Sequence, residues 1–67
     1  MNSIALTARE QDVLNLVGKG KTSKQVAAEL KISVFTVNNH RKRICKKLNL
    51  HSTAQLVAYA ATQLASQ

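Results

Sequence analysis

Four hydroxyl residues, Thr7, Thr22, Ser33 and Ser52, divide this chain of 67 residues into segments marked for helix formation. Thr7-Ala8-Arg9-Glu10, Thr22-Ser23-Lys24-Gln25 and Ser52-Thr53-Ala54-Gln55 share the spacing S/T-x-x-E/Q. In that spacing the hydroxyl accepts from the third helical N–H while the acid or amide side chain returns to the N–H of the cap, so two otherwise unpaired donors are satisfied together. Ser33 is a fourth cap with Thr36 three positions on, and threonine lacks the reach of Glu or Gln, so only the serine half of the box is expected there. Behind the caps, apolar residues recur at helical intervals: Val13, Leu14 and Val17, with Glu10 on the same face and Leu6 folding onto it; Val26, Ala27 and Leu30; Val37, Ile44 and Leu48; and Leu56, Val57, Ala60 and Leu64. The spacing predicts helices over about residues 8–18, 23–30, 34–48 and 53–65, the first stopped by Gly18-Lys19-Gly20. No segment alternates as a strand does, and neither a proline nor a low-complexity linker interrupts the chain. The expected fold class is all-α, four helices in a single domain spanning residues 1–67.

A domain of this length has a radius of gyration of about 11 Å and a stability margin of only a few kcal/mol. Against that small core stand ten Lys and Arg and three acids, a net charge of +7. Such an excess points to a polyanionic partner, nucleic acid before an acidic lipid surface. Cys45 is the only cysteine, which excludes an intrachain disulfide or a multi-cysteine metal cage and favours a reducing compartment. The N-terminal residues lack a secretory pattern, and the longest apolar run, LVAYAA, is far short of a membrane span. A soluble, cytoplasmic, nucleoid-associated protein with no membrane partner is expected.

The second and third helices, joined by a tight turn and with the longer member second, make a helix-turn-helix. Ala27 is small where the two helices must approach, and Val37 is placed to fill that contact. The turn near Lys31 favours glycine, because a non-glycine residue in the left-handed conformation costs about 1 kcal/mol. From Ile32 to Leu48 the chain carries five Lys or Arg and no acid. Advancing about 100° per residue from Val37, Ile44 and Leu48 return to within roughly 20° of it and define the buried stripe. The opposite arc holds Phe35, Asn38, Asn39, Lys42, Arg43 and Lys46. A merely solvated face mixes acids with bases; this one matches the major groove, where Asn pairs with adenine, Lys and Arg with guanine, and an apolar tip packs on the thymine methyl. The order of expectation for base contact is Asn39, Lys42 and Asn38, then Phe35 and Val34. Arg43 and Lys46 lie nearer the edge or far end and are expected at phosphates. Thr22, Ser23 and Lys24, with Ser33 and Thr36, sit at helix N-termini, whose free N–H groups also suit phosphate, although capping alone explains Thr22 and Ser33 equally well. His40, between core and edge, is expected to pack and to donate to a phosphate or a carbonyl.

These residues carry a resemblance. LTAREQDVLNLVGKGKTSKQVAAEL followed by ISVFTVNNHRKRICKKLNLHS closely resembles the LuxR-type, or GerE-type, helix-turn-helix DNA-binding domain over about Leu6 to Tyr59. The resemblance implies a bacterial transcription regulator with its third helix in the major groove and a fourth helix used for dimerisation. It implies base contact at Asn38, Asn39 and Lys42, and backbone contact at Lys24, Thr36 and Lys46 or Lys47. Thr53 stands where the family often has Arg, a departure from the family pattern that bears on any ion pair or phosphate contact made from that position. The residues before Thr7 are too few for the family's receiver or ligand-sensing half, so an excised effector domain and a small protein complete in itself both fit.

In the fourth helix Leu56, Val57, Ala60 and Leu64 are expected to face the core, while Ala54, Ala58, Ala61 and Ala65 form an adjacent stripe that lets a second copy approach. A homodimer on duplex DNA is therefore expected, against the plainer reading that alanines simply populate a good helix former's surface. Two other readings stay open: the promoter-reading region of a sigma factor, and an antagonist that pairs through the fourth helix with a full-length LuxR-type regulator. RNA polymerase is a further partner to consider, and RNA is disfavoured because only Phe35 and Tyr59 are available to stack on bases. Glu10, Asp12 and Glu29 form no catalytic pair, and Arg9, Glu10 and Asp12 read as a cap with one local ion pair. His40, His51 and Cys45 do not assemble a metal site. Neither an enzyme nor a cofactor is expected.

Overall fold

A computed structural model describes residues 6–65, the side chains of residues 64 and 65 excepted. Its elements are α1 (Ala8–Gly18), α2 (Ser23–Leu30), α3 (Val34–Leu48) and α4 (Thr53–Ala65), with no strand among the described residues. The caps act as their spacing requires. Thr7 and Glu10, and Thr22 and Gln25, form reciprocal boxes. At α3 the Thr36 N–H donates to Ser33 Oγ at 3.0 Å, and the two hydroxyls hydrogen-bond to each other at 2.9 Å. At α4 the serine half holds, with Gln55 N–H donating to Ser52 Oγ, but the Gln55 side chain accepts from His51 N–H, one residue before the cap.

The first three helices end alike. Gly20, Lys31 and Asn49 each take a positive φ, and the N–H of the next residue reaches back to a carbonyl five positions earlier, Lys21 to Leu16, Ile32 to Ala27 and Leu50 to Cys45. This closes the orphan carbonyls of each last turn. It also turns Ile32 and Leu50 back onto the core. Lys31, at φ 60°, occupies the left-handed conformation anticipated for the helix-turn-helix corner.

Among the described residues, nine buried apolar side chains form the core: Val13, Leu14 and Val17 of α1, Val26 and Ala27 of α2, Val37 and Ile44 of α3, and Leu56 and Ala60 of α4. Helix α1 is central, packing on α3 and most extensively on α4, while α2 packs chiefly on α3. The radius of gyration is 11.1 Å. One placement differs from expectation: Val57 does not face the core but is 39% exposed. The apolar arc of α4 is wider than its contact with α1 covers, and Leu56 and Ala60 take the inner positions. Leu64, also expected inside, has its side chain outside the described set.

Among the described residues, one charged group lies within this apolar core. Glu10 is only 1% exposed, and its Oε1 accepts from Thr7 N–H at 3.0 Å and from Lys47 Nζ at 2.7 Å. The lysine comes from the last turn of α3, 37 residues away, so the pair pins the start of α1 to the end of α3. The carboxyl is held below its ordinary pKa, first by the Lys47 hydrogen bond and then by the Thr7 N–H, against the opposing effect of burial; the electrostatic effects of Lys47 and His40 add to the lowering. A depressed carboxylate contributes stability in full above its unfolded-state value, about 4.3, and loses it as pH falls through the lower folded value. Glu10→Gln is expected to reduce stability at neutral pH by about 1–3 kcal/mol, and its deficit relative to the parent should shrink progressively below about pH 4.3. Urea unfolding at a series of pH values measures this; a deficit that stays constant or widens on acidification contradicts the pairing.

Candidate nucleic-acid interface

The surface of α3 follows from which of its residues the core takes. Val37 and Ile44 are fully buried and Leu48 is half-buried, so the opposite side faces outward. Phe35, Asn38, Lys42, Arg43 and Lys46 are exposed there, and Asn39 is half-exposed. Phe35 is 74% exposed and Val34 40%, both in the first turn of the helix. The N-terminal group expected at phosphates is also outward: Thr22, Lys24 and Ser33 are exposed, and Ser23 and Thr36 half-buried.

Beside this ridge, an open groove of about 610 Å³ runs between α3 and the turn into α4. Asn38, Asn39, Lys42 and Lys46 line one side, and His51, Ser52 and Thr53 the other. Arg41, Cys45, Leu50 and Leu56 also line it. Among the described residues, no acid lines the groove. Arg41 was not among the residues singled out from the sequence. Its wheel position, 40° from Val37, puts it at the margin of the buried stripe, and the structure shows it half-buried along the groove. The usable signal was that margin itself, where a long cationic side chain can lay its stem on apolar surface and send its head group outward.

The charges are sorted in space. Of the three acids, Glu10 is buried against Lys47, and Asp12 pairs with Arg9 at 3.8 Å. Asp12 and Glu29 both line a separate, smaller hollow formed with Asn15, Leu16, Lys19 and Leu30. That leaves Lys42, Arg43 and Lys46 on α3 without a carboxylate at ion-pairing distance among the described residues. One expectation changes. Lys47, which the resemblance implied as an alternative to Lys46 at the DNA backbone, directs its ammonium to the buried Glu10 carboxylate at 2.7 Å. The Arg9–Glu10–Asp12 cluster is, as its sequence implied, a cap with one local ion pair: Glu10 caps α1 and Arg9 pairs with Asp12. His40 is half-buried as expected, and its Nδ1 is buried with no hydrogen-bond partner, so that nitrogen donates to no carbonyl.

Comparison with known proteins is decisive at the level of family. The family described as bacterial regulatory proteins, luxR family, matches residues 4–60. The chain belongs to the LuxR family of bacterial regulatory proteins. This LuxR-family chain is 46% identical over 55 residues to a protein of Escherichia coli K12 named as the uncharacterized response regulatory protein YgeK, covering 82% of this chain and 37% of that one. It is 46% identical over 55 residues to the oxygen regulatory protein NreC of Staphylococcus carnosus, covering 82% of this chain and 25% of NreC. It is 43% identical over 53 residues to the regulatory protein SdiA of Escherichia coli K12, covering 79% of this chain and 22% of SdiA. The LuxR-family chain thus spans well under half the length of these curated relatives. Family and relatives alike are named as regulators, and the family implies DNA binding.

Proposed function

We propose that this LuxR-family domain binds duplex DNA sequence-specifically, with α3 in the major groove, and that two copies pair through α4 to engage a site of two half-sites. The observation that carries the reading is the acid-free ridge of α3, in which two amides and three cations project from a helix whose other side is locked into the core. Asn38, Asn39 and Lys42, with Phe35 and Val34, are assigned to bases. Thr22, Ser23, Lys24, Ser33, Thr36, Arg43 and Lys46 are assigned to the phosphate backbone. Arg41 joins the backbone group from the groove wall.

The division into reading and clamping residues is measurable. Asn39→Ala is expected to cost about 1–3 kcal/mol at one base pair and to relax the preference there. Lys24→Ala should weaken all duplexes alike and make the salt dependence shallower by about one unit. Binding isotherms over a salt series, on a duplex selected from a random pool and on its single-base variants, read both; uniform effects from both substitutions contradict the division.

Pairing through α4 is supported by Ala54, Ala58 and Ala61, all exposed in a stripe that Val57 extends. Ala65, the fourth member, has its side chain outside the described residues. Small side chains let helix axes approach closely, and a two-fold pair would set two α3 ridges on a pseudo-palindrome. Sedimentation on a symmetric duplex is expected to give two chains per duplex, and one for Ala58→Arg; a one-to-one complex of the parent chain contradicts the dimer.

A further inference from the structure

The side chain on α3 that solvation explains least is Phe35. It is the most exposed large apolar residue among those described, at 74%, although Val37 two positions on is fully buried. Its position is not a by-product of packing, because it lies on the side of α3 away from the Val37–Ile44 stripe. Asn38 and Asn39, three and four residues on, are its helical neighbours at about 5–6 Å between Cβ atoms, and Lys42 follows one turn later. Phe35, Asn38, Asn39 and Lys42 line one continuous surface. In a major groove the polar members of that surface have donors and acceptors to meet. A benzyl group has one type of apolar feature available on a base edge, the methyl on carbon 5 of a pyrimidine. Insertion between base steps is the alternative for an aromatic wedge, but it belongs to minor-groove binding with strong kinking, which an amide-and-lysine helix face does not suit.

Resting on the proposed DNA-reading role of α3, we infer that Phe35 reads the 5-methyl group of a major-groove pyrimidine, making affinity depend on carbon-5 methylation at one position of each half-site. The methyl has two sources, thymine and 5-methylcytosine, and the ring contact is the same for both. A cytosine at the Phe35 position would then make the site responsive to DNA methylation.

The test starts from duplexes enriched out of a random pool by the parent chain. Each thymine of the consensus is replaced singly by deoxyuridine, which removes the methyl and leaves every hydrogen-bonding group in place. At one position per half-site the parent should lose about fourfold in affinity, the worth of one buried methyl. Placing cytosine there, paired with guanine, and then 5-methylcytosine, should recover a similar factor on methylation. Phe35→Ala should abolish both methyl effects, and Phe35→Leu should keep part of them. Because Phe35 is exposed, both variants should fold as the parent does, which circular dichroism checks. Indifference of the parent to deoxyuridine at every position overturns the inference while leaving DNA binding intact, as does a methyl effect undiminished in Phe35→Ala. Failure to enrich any duplex overturns DNA reading by α3 and this inference together.

Discussion

Burial of Val37 and Ile44, two turns apart on α3, is the constraint on which the rest depends. Both are fully enclosed by residues of the other helices, and each contributes about 1.5–3 kcal/mol relative to exposure. Rotating α3 by half a turn would forfeit that contribution and press Asn39, Lys42 and Lys46 into an apolar interior, at about 1–3 kcal/mol for each unsatisfied amide and more for each charge. A domain this small has only a few kcal/mol of stability to lose. The roll of α3 is therefore fixed, and the ridge that faces outward is the complement of the stripe that faces inward.

Charge is fixed by a second contact. Glu10, which lies within the core, is neutralised by Lys47 from the last turn of α3. The pair tethers that end of the helix while Ser33 and Thr36 organise the other. One cation of α3 is thus paired with a buried carboxylate, and Lys42, Arg43 and Lys46 are left facing outward, while Asp12 and Glu29 line a separate hollow. Such an arrangement opposes compaction by self-repulsion and attracts a polyanion over a distance that salt shortens. The amides contribute differently: they add little to long-range attraction, but their paired donor and acceptor favour particular base edges at contact.

Most of the fold was legible in the sequence because its information is local. A hydroxyl three residues before Glu or Gln is a property of four consecutive residues, and the left-handed corner at Lys31 follows from two helices being joined by so short a turn. What escaped was long-range or marginal. Nothing near Glu10 in the chain announces a partner 37 residues later; its neighbour Arg9 pairs with Asp12, as the local spacing allows. Val57 was misplaced because periodicity gives the width of an apolar arc but not how much of it a neighbour covers. Arg41 was overlooked since its wheel position lies beside the buried stripe, where only the packed structure shows which way a long side chain leaves.

The most direct measurement is an amide-resonance titration of the isotopically labelled chain with duplex DNA at low ionic strength. If the stripe of α3 faces inward and its ridge meets the duplex, perturbations should concentrate in residues 33–46 and 22–24, and the amides of α1 around Val13 and Val17 should scarcely move. Perturbations confined to α1 or to the outer face of α4, with the α3 ridge unmoved at saturating duplex, would contradict the assignment of α3 as the reading helix.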